Sequence, residues 1–131
     1  MDKKKIVVAG DAPSSVGPYS QAVIARGFIF VSGQGPVDIS AGRLVLGDIR
    51  SECELTIRNI EAVLRAAGAS LDDVVRCTVF LRDLTDFRDM NEVYRRFFPA
   101  KCPARTTVGA GDLLDGIKVE IDAIAMLPTD K

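Results

Sequence analysis

The chain of 131 residues has no histidine. That absence excludes every catalytic arrangement built on imidazole: no Ser-His-Asp triad, no Cys-His pair and no HExxH metal site can be assembled. Cysteine is sparse, with only Cys53, Cys77 and Cys102, odd in number and far apart. They form no CxxC, so neither a disulfide framework nor a zinc site is expected. Cys77 alternates in phase with Val75, Val79 and Leu81, the pattern of a small buried hydrophobe. Charge of one sign is also lacking: 17 Lys and Arg stand against 18 Asp and Glu, a net charge of −1. That balance, with few aromatics for base stacking, argues against nucleic acid or an anionic membrane as partner. No apolar run approaches the ~20 residues of a membrane span. The Ile6-Val7-Val8-Ala9 run behind Met1-Asp2-Lys3-Lys4-Lys5 is too short for a signal peptide, so the expected compartment is the cytoplasm.

What is present fits one domain over residues 1–131. Ala22 to Arg26, Gly27, then Phe28 to Ser32 predicts a β-hairpin turning near Gly27. Phe28 to Val31 is apolar on both parities, so neither face of that strand expects water. Gly33-Gln34-Gly35-Pro36 predicts a strand break, and a loop through Gly42 follows. From about Asp48 the period changes to a helix, with Ile49, Cys53, Ile57, Ile60, Leu64 and Ala67 on one face and Gly68 at the C-cap. Val74 to Leu81 reads as a strand. Thr85 is expected to cap a second helix with Phe87, Met90, Tyr94 and Phe97 on one stripe, ended by Pro99. Final strands are expected at about Ala104 to Val108 and Lys118 to Met126. The fold class is therefore α+β, a mixed sheet with two helices packed on one face. Strands apolar on both parities leave a face to cover, which predicts a homo-oligomer.

With histidine missing, acid-base work falls to other groups. Arg105, in Cys102-Pro103-Ala104-Arg105-Thr106-Thr107-Val108, is either a structural bridge between strand ends or a planar fork for a substrate carboxylate. Pro103, Gly109 and Gly111 leave room for a ligand beside it. Glu120 shares a strand parity with Lys118 and Asp122, which suits a solvated face. Ile124 and Met126 share that parity too, and a carboxylate at such a border would be partly desolvated, with its pKa raised toward a general base. Tyr19, in Gly17-Pro18-Tyr19-Ser20-Gln21, could anchor packing or cover an apolar part of a ligand. Asn91 could be merely solvated on its helix. Gly109-Ala110-Gly111 lacks the third glycine of a dinucleotide fingerprint and opens no helix, and is discounted.

Over nearly its whole length the chain resembles the reactive intermediate deaminases, the RidA (YjgF-type) family. The matching stretches are Gly17-Pro18-Tyr19-Ser20-Gln21, Phe30-Val31-Ser32-Gly33-Gln34, Asn59-Ile60, Ala66-Ala67-Gly68, Asn91-Glu92-Val93-Tyr94, Pro103-Ala104-Arg105 and Val119-Glu120-Ile121. The resemblance implies a chorismate-mutase-like fold and a homotrimer with active sites between subunits. It implies hydrolysis of 2-imino acids to 2-keto acids and ammonia, with no metal or organic cofactor. Carried over by position, Arg105 would bind the substrate carboxylate and Glu120 would orient the attacking water. Tyr19 and Ser32 would line the pocket, Gly33 would give close backbone contact, and Asn91 would support the site from its helix. Thr107 stands where a cysteine is frequent in the family, which removes any thiol role and leaves that of its backbone carbonyl. Gly35 stands where many members carry a larger aliphatic residue. Two alternatives accompany the enzymatic expectation: an endoribonuclease acting as a translation inhibitor, and a non-enzymatic trimer that binds small carboxylates or acts like a chaperone.

Overall fold

In the computed structural model, which describes residues 3–128, Asp48 starts the longest element. Its carboxylate accepts the Ser51 N–H at 2.8 Å, a cap contributing about 1 kcal/mol. In chain order the strands are β1 (Lys5–Val7), β2 (Ala22–Ala25), β3 (Phe28–Gln34), β4 (Val37–Asp38), β5 (Arg43–Leu44), β6 (Val74–Leu81), β7 (Ala104–Gly109) and β8 (Val119–Met126). The helices are α1 (Ile49–Ala66) and α2 (Phe87–Phe97). The predicted stripe of α1 is buried from Ile49 through Leu64. Its C-cap is Ala67, and Gly68 follows in the left-handed region (φ +88°), one position later than its expected role.

The main sheet runs β1-β2-β3-β8-β6-β7, antiparallel at every junction except the parallel β6–β7 edge. The β2–β3 hairpin turns on Arg26 and Gly27, both with positive φ, the geometry that follows the twist of paired strands. A parallel pair needs a crossover, and α2 supplies it between β6 and β7. The last strand, β8, enters between β3 and β6 and becomes the centre of the sheet. Its odd-numbered residues Val119, Ile121, Ala123 and Ala125 pack into the same buried cluster as Ile57, Ile60 and Leu64 of α1 and Met90, Val93 and Tyr94 of α2. An α+β fold with a six-stranded mixed sheet and two helices is thus observed.

Several local expectations differ. The break at Gly33 does not end β3, because an irregularity between Val31 and Gln34 absorbs the glycine and Gln34 pairs with Ile121. The loop before Gly42 contains the β4–β5 ribbon. Val75 does not share the buried phase of Cys77, since the β6–β8 register shifts between Val74 and Arg76 and turns Val75 outward. Thr85 does not cap α2: it sits in a 3₁₀ turn, Leu84–Asp86, whose Asp83 carboxylate accepts the Thr85 N–H at 2.9 Å. The other parity of Phe28 to Val31 is not buried by this chain, since Phe28 and Phe30 are 39% and 45% exposed.

Candidate active site

Residues of β3 and β8 and the chain leading into β2 build the first cluster. Glu120 projects from β8 on the parity opposite Val119 and Ile121, away from the helices. Gly33 of β3 passes so close that a Cβ there would lie 2.2 Å from Glu120 Oε2, so only glycine leaves this carboxylate its place. Ser32 donates its hydroxyl to the Ser20 carbonyl at 2.6 Å, fixing the loop that carries Tyr19. Gln21, buried, accepts the Ala9 N–H at 2.7 Å and donates to the carbonyls of Ala9 and Pro13, at 3.1 and 2.7 Å, which ties down the wall before Tyr19. The half-exposed Tyr19 offers its hydroxyl oxygen to the Val16 N–H at 3.4 Å. Tyr19, Gly33 and Glu120 border one cleft of about 610 Å³ that continues past Gly35, Val37 and Ile117.

Glu120 makes no hydrogen bond or ion pair among the described residues. Partial burial raises its pKa above the ordinary carboxylate value, and the like charge of Asp122, two residues on along the same strand face, adds to this. Both effects disfavour the anion and make it a stronger base when it forms.

The second cluster lies at the parallel edge of the sheet. Arg105 of β7 is in register with Cys77 of β6, whose side chain lies under the helices, so Arg105 faces α2. Its guanidinium carbon stands 4.8 Å from the Tyr94 ring centre and 5.6 Å from that of Phe87, with Met90 Sδ 4.0 Å from Nη1. Such cation–π contacts contribute about 0.5–2 kcal/mol and hold the fork without neutralising it. Arg105 has no carboxylate partner among the described residues. Asn91 and Tyr94 of α2, with Cys102 and Pro103, enclose a hollow of about 260 Å³ against it. Thr107 follows on the same parity, in register with Val79. The nearby thiols stay protonated: burial pushes Cys53 up to about 12 and also raises Cys77. Burial, followed by contact with Cys77, raises the Tyr94 phenol as well.

The site residues expected from sequence thus fall into two groups. Tyr19, Ser32, Gly33 and Glu120 gather on one side, and Asn91, Arg105 and Thr107 on the other. Glu120 is in register with Phe80, three residues from Cys77 along β6, so Glu120 and Arg105 project from opposite faces of the sheet. Within a single chain they do not meet.

Two braces escaped the sequence reasoning. Glu52 of α1 is fully buried and accepts the N–H groups of Gly47 (3.0 Å) and Lys118 (2.8 Å) and the Lys118 ammonium (3.3 Å). Asn59 donates to the carbonyls of Gly35 (3.0 Å) and Val37 (2.9 Å). Their signal was available: Glu52, Thr56 and Asn59 recur at steps of four and three beside the apolar stripe, and all three are buried.

Comparison with known proteins gives concordant matches. The family model described as Endoribonuclease L-PSP matches residues 9–127. A RutC family protein of Pyrococcus abyssi is 47% identical over 122 residues, covering 93% of this chain and 96% of that one. A 2-iminobutanoate/2-iminopropanoate deaminase of Bos taurus is 41% identical over 123 residues, covering 94% and 90%. Among solved structures, Escherichia coli TdcF with bound serine superposes with a TM-score of 0.89 at 38% identity, covering 95% of this chain and 99% of that one.

Proposed function

Because the chain belongs to the RidA/YjgF/L-PSP family, we propose that it hydrolyses 2-imino acids to 2-keto acids and ammonia in a homotrimer whose sites lie between subunits. The observation that carries this is the division of the site. Arg105 is a cation without an anion, Glu120 is a base without a partner, and they leave opposite faces of one sheet. A neighbouring copy that brings its Arg105 edge to the Glu120 cleft would complete both. The exposed apolar residues further along the sheet face that carries Glu120, among them Phe28, Phe30 and Met126, offer the surface for such packing. The serine bound by TdcF is a small amino acid with the same carboxylate as an imino acid, which fits the role given to Arg105.

In this mechanism the guanidinium fork of Arg105 grips the substrate carboxylate through two parallel hydrogen bonds. Asn91 and the Thr107 carbonyl border that end, and Tyr19 with Ser32 and Gly33 border the other. Glu120 accepts a proton from a water as its oxygen adds to the imine carbon. Glu120 returns this proton to the nitrogen and takes up the proton of the new hydroxyl as the C–N bond breaks, so that the carbonyl forms and ammonia leaves with the keto acid remaining. An iminium carbon is already electrophilic, so orientation of one water supplies most of what is needed. The bovine relative's name supports this substrate class.

The test is keto-acid release from an imine generated in situ, with and without protein. Arg105→Ala is expected to lower kcat/KM by about 10²-fold, the scale of lost charged hydrogen bonds. A folded Arg105→Ala variant of unchanged activity removes the carboxylate clamp, and no acceleration by the native protein removes the function. Co-expression of Arg105→Ala with Glu120→Gln probes the shared site. Random mixing leaves both native groups at about a quarter of the interfaces, so the mixture is expected to show activity well above that of either variant alone.

A further inference from the structure

Among the described residues Glu52 is the only charged side chain in the core, at 0% exposure. A carboxylate is costly to bury unless donors surround it, and here three do. Oε1 accepts the Lys118 N–H at 2.8 Å, while Oε2 accepts the Gly47 N–H at 3.0 Å and the Lys118 ammonium at 3.3 Å. The mechanism above makes no use of this group, yet its strongest contact falls two residues before Glu120.

The entry of β8 is the least supported part of that strand. Its pairing with β6 runs to Leu81 and Val119, but its pairing with β3 stops at Gln34 and Ile121, beyond the irregularity in β3. No β3 residue is in register with residues 118–120. The chain reaches Lys118 from a turn in which Asp115 (φ +58°) and Gly116 (φ +74°) are left-handed. The Lys118 carbonyl accepts the Arg82 N–H at 2.9 Å, and its own N–H is given to Glu52. Glu120 then has no slack, since a Cβ at Gly33 would lie 2.2 Å from its Oε2.

We propose that Glu52 is a positioning residue for the reaction: by holding the Lys118 N–H, its carboxylate sets where Glu120 stands in the cleft. This rests on the imine-hydrolysis function above and adds a residue that acts through Glu120. A displacement of about 1 Å at a reacting group costs up to about 10²-fold in rate.

Keto-acid release from an imine generated in situ, resolved into kcat and KM, tests this with three variants. Glu52→Met fills the space without an acceptor, and kcat is expected to fall about 10- to 100-fold. KM should stay close to native, because the Arg105 end is untouched. Glu52→Gln keeps a carbonyl oxygen at the same reach and should recover most of the lost kcat. Glu52→Asp keeps the charge but stops one methylene short of Lys118, and its kcat should remain low. A role for the buried charge alone would reverse that order and place Asp above Gln. Asp equal to or above Gln in kcat, a folded Glu52→Met with native kcat, or a Glu52→Gln that does not fold overturns the positioning role and leaves imine hydrolysis standing. No acceleration by the native protein overturns both. If Glu52→Met or Glu52→Asp does not fold, the other is compared with Glu52→Gln, and equal kcat in the two overturns the proposal.

Discussion

At Gly33 the main chain of β3 lies against the Glu120 carboxylate, and the space between them is smaller than one methyl group. Gly33→Ala should therefore displace Glu120 and lower kcat while leaving the Arg105 end intact, measured as a larger change in kcat than in KM. Glu120→Gln removes the proposed base, and a loss of about 10²–10⁴-fold is expected. The pH profile gives the independent sign. Burial first, then Asp122, raises the pKa of Glu120 above 4.5, so its carboxyl stays protonated to higher pH than an ordinary glutamate. Activity that needs the anion should fall on the acid side at a pH above 4.5, and Asp122→Asn should move that limb downward. Arg105 and Glu120 were legible as candidates because a chain without histidine leaves few other groups for acid-base chemistry. The raised pKa was foreseen from the border between Asp122 and Ile124, but the clash at Gly33 was not, because a bulge brings those backbones together.

Among the elements, α1 does more than bury an apolar stripe. Glu52 reaches from its buried side to Gly47 and Lys118, linking the helix N-terminus to the entry of β8 two residues before Glu120. Glu52→Ala leaves two backbone N–H groups without their acceptor, each worth about 1–3 kcal/mol, so unfolding in urea should show a loss of about 2–6 kcal/mol. A variant as stable as the native chain would show that water replaces the carboxylate. Helix and strand identities followed from period and turn chemistry: the hairpin at Gly27, the stripe of α1 and β6 from Val74 to Leu81 all agree with the structure. The misses share one cause. The bulges at Val31/Gln34 and Val74/Arg76 and the Asx-type turn at Asp83 depend on partners across the sheet or on a side chain outside the helical pattern.

On the scale of the whole molecule, one sheet face is covered by helices and the other carries Phe28, Phe30 and Met126 at 39–46% exposure. A mass in dilute solution of three times the 14.1 kDa chain is expected, and a stable monomer would contradict the shared site. Acid should destabilise the fold through capped carboxylates. Hydrogen bonds from Ser40 and Ala41 to Asp38, from Ser51 to Asp48 and from Thr85 to Asp83 hold these pKa values below 3.8. Their stabilisation is present above 3.8 and is lost as pH falls through the lower folded values, which a melting series across that range would read. By itself the amino-acid order determined what is local or periodic: the α+β class, the helices, and an arginine and a glutamate as the candidate groups of a chain without imidazole. Only the tertiary structure decided that these two charges leave opposite faces of the sheet. That depends on the parallel register of β7 with β6 and the insertion of β8 beside them, pairings between residues far apart in the chain that no local pattern encodes.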